Sequence, residues 1–191
     1  MDLLHYAIAC DSAYEEEMPE DEVLNARYSR VAQYRVGAAA AFVASNEALD
    51  DFLIVYRGTD QVKDVWRAYR VAKFGFGDLK DELALFDQIE SDYPEIYYPR
   101  NTLLMTGHSW GGVLAMQHAS RLSPDECVTF GCPRIGQPRV PNTRVVNGHD
   151  FVTWLLPKFE HCGELVQLPG SRWSCLWDHF ASSYVKKLRN K

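Results

Sequence analysis

The sequence lacks the features that mark several large classes of protein. No apolar run approaches the length of a membrane-spanning helix. The first residues have no basic stretch followed by an apolar core, so we expect no signal peptide. Basic residues are in the minority, because 20 Lys and Arg stand against 26 Asp and Glu and the net charge is −6. Such a chain has no general attraction for nucleic acid, and these absences predict a cytoplasmic protein.

Paired cysteines are also missing. The five cysteines are an odd number and none is spaced as C-x-x-C, which favours reduced thiols over a disulfide framework. A zinc site built from four of the side chains is an open alternative, although their spacing matches no familiar ligand set: Cys127, Cys132, His161 and Cys162. The sequence has no Pro- or Gly-rich linker, repeat or low-complexity tract either, so we expect residues 1–191 to form one domain.

Short apolar segments that stop at a glycine are the most regular feature of the chain. They read FLIVYRG, TLLMTG, CVTFG and TRVVNG. Strands that are apolar on both faces belong in a covered sheet, and the helical segments between them imply parallel crossovers. The sequence therefore predicts an α/β fold with a mostly parallel central sheet and helices on both faces. Polar residues follow each glycine, which predicts a ligand site at the C-terminal edge of the sheet.

Two helices and two strands are predicted from periodicity and turn residues. Residues 3–14 have the spacing of an amphipathic helix. Residues 32–44 and 50–60 read as two strands joined by a short connection. A second helix is expected from Leu79 to Tyr93, with Leu83 on its buried stripe and Asp78 as its N-cap.

A serine lies at the junction of a predicted strand and a predicted helix. Residues 107–111, Gly-His-Ser-Trp-Gly, match G-x-S-x-G, in which a sharp turn exposes a nucleophilic hydroxyl. The motif alone is short enough to arise by chance, but here an apolar strand precedes it and residues 110–122 have the pattern of a helix. We therefore predict that Ser109 is a nucleophile rather than a helix cap.

A nucleophilic serine needs an oriented base, and the expected chain order on such a fold is Ser, Asp, His. Asp150 follows the strand that contains TRVVNG, so it can reach the same edge as Ser109. Asp125 precedes a strand and points to the other end. Asp178 adjoins a histidine and reads as a charge at a helix start.

His179 is the predicted base, and His161 is its rival. We expect a helix around His179 whose buried stripe contains Trp177, Phe180, Tyr184 and Leu188, which leaves His179 facing solvent or a cleft. His161 lies in a loop only eleven residues after Asp150. The developing oxyanion also needs donors, and we expect them to be the backbone N–H of Trp110 and the amide or hydroxyl of Thr59.

The chain resembles the class 3 lipases, the α/β-hydrolases related to fungal triacylglycerol lipases. The resemblance runs in order through LLHYAIACDSAY, VYRGTD, TGHSWGG, TFGCPRIG, VNGHDFVTWLLP, FEHCGEL and DHFASSYV. It implies that Ser109 is the nucleophile, Asp150 the acid and His179 the base, with Thr59 and Trp110 forming the oxyanion hole. It also assigns FEHCG to a non-catalytic block. Trp110 departs from the leucine that is usual in the family, and residues 61–77 form a shorter lid-like segment than is usual.

These observations predict a serine hydrolase that cleaves carboxylic esters of lipids without a cofactor or an obligate protein partner. The alternatives are an esterase or thioesterase for soluble substrates and a catalytically silent binding module. Residues 61–77 combine helical spacing of apolar side chains with four basic residues against one acidic residue. This segment therefore predicts transient contact with an anionic lipid surface.

Overall fold

The structure is a computed structural model that describes residues 1–14, 27–28, 30–46, 50–58, 79–136, 140–170 and 175–190. Thr59, the 61–77 segment and Asp78 lie outside the described residues. Among the helices of the described ranges, none is long and apolar enough to cross a membrane.

A seven-stranded sheet forms the centre of the described part of the chain, and its strands are neighbours in chain order. The first two pairings are antiparallel and the remaining four are parallel. The strands are β1 (Arg30–Val36), β2 (Ala39–Asn46), β3 (Asp51–Tyr56), β4 (Thr102–His108), β5 (Glu126–Phe130), β6 (Thr143–Asn147) and β7 (Glu164–Leu168).

Four α-helices cover the two faces of the sheet in the described part of the chain. They are α1 (Leu3–Ser12), α2 (Lys80–Asp92), α3 (Trp110–Leu122) and α4 (Ala181–Arg189). Apolar side chains of α2 and α3 share one core cluster with the sheet, and those of α1 and α4 share a second. Because β3 and β4 lie between these two layers, their residues are buried almost without interruption. The predicted α/β class, with a mostly parallel sheet and helices on both faces, is confirmed.

The segment 32–44 is not one strand, as the sequence suggested, but an antiparallel hairpin. Val36 pairs with Ala39 across a two-residue turn, and Ala32 pairs with Val43. The alanine-rich run after Gly37 has no alternating pattern that would reveal where one strand stops and the next begins. The prediction therefore merged β1 with β2, although it correctly placed a further strand at 51–56.

Helix α2 begins one residue later than predicted and buries a different stripe. Its N-cap position is Leu79, which makes no side-chain capping bond. Leu83 is 42% exposed, whereas Leu85 is fully buried with Phe86 and Ile89. The predicted inward position of Leu83 is therefore wrong, because the helix turns Leu85 toward the sheet instead.

Replacing Leu85 by alanine should lower the free energy of unfolding by about 2–5 kcal/mol, because the change leaves a cavity against the sheet. The matched change at the exposed Leu83 should cost less than about 0.5 kcal/mol. Urea denaturation of both variants measures the difference. Equal losses would contradict the orientation of α2.

The parallel strands bring their C-terminal ends to one edge of the sheet. Ser109 follows β4 and Asp150 lies three residues after the end of β6. The loop that contains His179 precedes α4, and α4 packs against the same sheet face as α1. This edge is where the fold positions the candidate site.

Candidate active site

Ser109 lies on a sharp turn between β4 and α3. Its backbone has φ 57° and ψ −125°, a conformation that non-glycine residues seldom adopt. A Cβ on Gly107 would overlap the backbone of Gly111, and a Cβ on Gly111 would overlap the backbone of β3. The two glycines of the motif are therefore required by close backbone approach. The amide of Ser109 donates to the carbonyl of Phe130 at 2.8 Å, which ties the turn to β5.

The structure brings together three of the predicted side chains, Ser109, His179 and Asp150. The hydroxyl of Ser109 donates to Nε2 of His179 at 2.9 Å. Nδ1 of His179 lies 2.9 Å from both carboxylate oxygens of Asp150. The carboxylate therefore orients the imidazole so that Nε2 faces the serine hydroxyl.

Asp150 is completely buried and its carboxylate is surrounded by donors. Oδ1 accepts from the amide of Val152 at 3.0 Å, and Oδ2 accepts from the hydroxyl of Tyr184 at 2.6 Å. Burial, and secondly the charge of Asp150, raise the pKa of Tyr184 well above its usual value, so this hydroxyl keeps its proton and donates it. These bonds stabilise a buried carboxylate that would otherwise be costly. No periodic sequence pattern pointed to Tyr184 as part of the site.

His108, the residue before the serine, supports the loop that contains His179. Its Nε2 donates to the backbone carbonyl of His179 at 2.6 Å, and the hydroxyl of Tyr14 donates to its Nδ1 at 2.7 Å. Burial, followed by the nearby His179, lowers the pKa of His108 to about 3. His108 is therefore neutral at ordinary pH and joins Tyr14, after the end of α1, to the loop that contains His179. The helical spacing of residues 3–14 gives no sign of this contact of Tyr14.

The rival residues lie in other surroundings. Oδ2 of Asp125 accepts from the amide of Leu103 at 2.8 Å, at the opposite end of β4 from Ser109. Burial, followed by the charges of Arg144 and Arg134, lowers the pKa of His161 to about 4. No hydrogen bond joins His161 to Ser109 or Asp150 in the described part of the chain.

The residues around His179 do not form the single helix that was predicted. A 3-10 turn spans Trp177–His179, Phe180 has an extended backbone with ψ 138°, and α4 begins at Ala181. Because the helical phase is broken at Phe180, Trp177 and Phe180 are 70% and 54% exposed instead of buried, whereas Tyr184 is buried as expected. Asp178, predicted as a charge at a helix start, is only 3% exposed.

Of the two predicted oxyanion donors, only Trp110 lies within the described residues. Its amide is the first N–H of α3, and such an amide has no acceptor within its own helix. The positive end of the helix dipole also favours negative charge there. The Trp110 indole is buried, and its Nε1 has no hydrogen-bond partner among the described residues.

The five cysteines are all free thiols in the structure. Burial raises the pKa of both Cys10 and Cys127 to about 12, which makes these thiols poor nucleophiles. Within the described ranges, no three His, Cys, Asp or Glu side chains are grouped so that they could hold a metal ion.

The mostly parallel sheet and its strained strand–turn–helix serine define the class of protein as an α/β-hydrolase. The class 3 lipase family model matches residues 80–160, which include the serine turn and Asp150. Over these residues the chain is similar to the class 3 lipases, and this match supports an activity as a carboxylic ester hydrolase.

Solved structures of fungal lipases share the fold. A fungal lipase–inhibitor complex superposes with a TM-score of 0.62 at 20% identity, over 87% of this chain and 79% of the other. Rhizomucor miehei triacylglyceride lipase superposes with a TM-score of 0.59 at 20% identity, over 87% of this chain and 79% of the lipase. Penicillium expansum triacylglycerol lipase superposes with a TM-score of 0.57 at 17% identity, over 88% of this chain and 79% of the lipase. At such identities the likeness establishes the fold. A search of curated proteins finds no match to this sequence.

Proposed function

We propose that this chain hydrolyses carboxylic esters of lipids through an acyl-enzyme formed on Ser109. The observation that carries the proposal is the continuous series of hydrogen bonds from Ser109 through His179 to Asp150, each at 2.9 Å. The strained backbone at Ser109 supports it, because strain of this kind is concentrated at functional sites.

In the proposed reaction, Nε2 of His179 takes the proton of the Ser109 hydroxyl as its oxygen attacks the ester carbonyl. Asp150 stabilises the imidazolium that forms. The carbonyl oxygen becomes an oxyanion held by the amide of Trp110 and by Thr59, whose part stays a prediction. His179 then donates its proton to the leaving alcohol, and the acyl group stays on Ser109. Water, activated by His179, releases the acid, so the cycle uses only protein groups and water.

We further propose that residues 1–191 act as one domain with 61–77 as its lid-like segment. The continuous sheet and the packing of α1 against α4 support a single unit, because elements early and late in the chain share one core cluster. The lid assignment itself lies outside the described residues and remains a prediction.

Exposed apolar side chains near His179 favour a lipid substrate. Leu176, Trp177 and Phe180 are 64%, 70% and 54% exposed, and the rings of Trp177 and Phe180 lie 5.6 Å apart. Trp154 and Leu155, which follow Asp150 closely along the chain, are also exposed. Contiguous apolar surface next to a reactive site is typical of contact with an apolar ligand or membrane.

Changing both Trp177 and Phe180 to serine should lower the rate on emulsified long-chain esters about tenfold or more, and leave hydrolysis of dissolved short-chain esters within about threefold. Removing two large apolar side chains costs several kcal/mol of transfer energy at an interface. The matched control is Leu165→Ser, an exposed apolar residue on β7. A double variant with unchanged rates on emulsions and vesicles would contradict lipid contact through these residues.

A fluorophosphonate probe combined with an ester panel tests the proposed function as a whole. We expect the probe to label Ser109, as located by peptide mass spectrometry, and we expect turnover of oxygen esters whose acyl chains are offered as monomers, emulsions and anionic vesicles. Turnover restricted to dissolved esters or thioesters would replace the lipid assignment with the soluble-substrate alternative. Absence of both labelling and turnover would favour the silent binding module.

A further inference from the structure

Residues 147–149, which precede Asp150, all contact one residue, Asp178. The amide of His149 donates to Oδ2 of Asp178 at 3.1 Å. Nδ2 of Asn147 donates to the backbone carbonyl of Asp178 at 2.9 Å. Gly148, between them, has φ +52°, and a Cβ there would overlap Oδ2 of Asp178. Asn147 therefore contacts Asp178 through its side chain, Gly148 through its Cα and His149 through its backbone amide.

These contacts join the neighbours of the acid to the neighbour of the base. Asp178 immediately precedes His179, and residues 147–149 immediately precede Asp150. Asp150 and His179 are 29 residues apart in sequence, so their separation depends on contacts between two distant loops. The contacts of Asp178 lie directly beside the hydrogen bond between His179 and Asp150, and they would control its length.

Asp178 is only 3% exposed, and burying a carboxylate costs free energy unless the group is paired or hydrogen-bonded. Nζ of Lys187, on α4, lies 3.6 Å from Oδ1 of Asp178. This distance is too long for a strong hydrogen-bonded ion pair. The amide of His149 is thus a closer partner of this carboxylate than the ammonium group. The shorter of these two contacts is therefore a hydrogen bond that an uncharged acceptor could also accept.

We propose that Asp178 is a positioning residue that fixes the separation of Asp150 and His179 by binding the amide of His149. This inference rests on the proposed roles of Asp150 and His179. A displacement of about 1 Å in such a geometry can cost about a hundredfold in rate. Asp178 itself touches neither Ser109 nor the reacting ester, so its effect passes through the two residues that it joins.

Four variants separate the hydrogen bond from the charge. Asp178→Ala removes the acceptor, and Asp178→Glu moves it by one methylene while keeping the charge. Asp178→Asn keeps an oxygen for the amide of His149 and removes the charge. Lys187→Met is the matched control, because it removes the ammonium group and leaves the hydrogen bond between the amide of His149 and Asp178 intact.

With a dissolved aryl ester, we expect kcat to fall about 10- to 100-fold in Asp178→Ala and Asp178→Glu, with KM within about twofold. Asp178→Asn and Lys187→Met should retain kcat within about threefold. The proposal is overturned if Asp178→Ala and Asp178→Glu keep the wild-type kcat. It is also overturned if Asp178→Asn loses as much as Asp178→Ala, because charge would then be the important property.

Proton NMR supplies a readout that needs no turnover. The Nδ1–H of His179, bonded to Asp150, should give a downfield resonance that disappears in His179→Ala. We expect Asp178→Asn to keep this resonance, and Asp178→Glu and Asp178→Ala to shift or broaden it. An unchanged resonance in a folded Asp178→Glu variant would overturn the proposal even if Asp178→Ala fails to fold. If the fluorophosphonate probe fails to label the wild-type protein, the proposed function fails, while the resonance still tests the role of Asp178.

Discussion

Replacing Ser109 by alanine should reduce ester hydrolysis by about 10⁵-fold or more, close to the rate without a nucleophile. The serine hydroxyl makes its side-chain hydrogen bond to His179 and to no other group among the described residues. Alanine can occupy the same strained backbone at φ 57° with a strain similar to that of serine. The fold should therefore remain intact, with a change in the free energy of unfolding below about 1 kcal/mol.

The measurement combines initial rates on an aryl ester with fluorophosphonate labelling and circular dichroism. Ser120→Ala is the matched control, because Ser120 is an exposed serine on the same helix, α3. We expect this control to keep wild-type activity and labelling. A Ser109→Ala variant with even a tenth of the wild-type rate would show that another residue is the nucleophile.

Removal of His179 should have an effect of similar size. His179→Ala leaves the serine hydroxyl without a base and leaves the carboxylate of Asp150 without the imidazole that it orients, so we expect kcat to fall about 10⁴-fold or more. The two residues act as a unit, so the double variant with Ser109→Ala should be hardly slower than either single variant.

His161→Ala provides the comparison, because His161 is the rival candidate for the base in the sequence. Its pKa is lowered to about 4, first by burial and then by Arg144 and Arg134, which makes it a weak base at neutral pH. We expect its rate to stay within about tenfold of the wild type. The opposite ranking of the two histidine variants, measured on the same ester with folded protein, would reverse the assignment of the base.

The sequence predicted the parts of this site that depend on local pattern. The glycine after each apolar segment located β3 to β6, and the helix after Ser109 was predicted with the bounds Trp110–Leu122. Alternation was absent in the alanine run of β2, so the hairpin was missed. A single break of helical phase at Phe180 was enough to reverse the predicted burial of Trp177 and Phe180.

The supporting residues could not be predicted because their contacts cross long distances in sequence. Tyr14 reaches His108 across 94 residues, and Tyr184 reaches Asp150 across 34. Asp178 looked like a charge at a helix start because an acidic residue before a helix usually has that role. Its role becomes visible only in the folded chain, where residues 147–149 contact the buried Asp178.

The order of the strands has a consequence for the protein during its synthesis. Because each strand of the sheet lies beside its predecessor in the chain, the sheet can be extended one strand at a time as the polypeptide emerges from the ribosome. The serine turn closes when β4 and β5 are present, yet His179 lies 70 residues downstream of Ser109. Under the proposed mechanism, a nascent chain would present Ser109 before His179 has been synthesised. Nascent chains stalled before His179 should therefore contain a folded serine turn and lack hydrolytic activity.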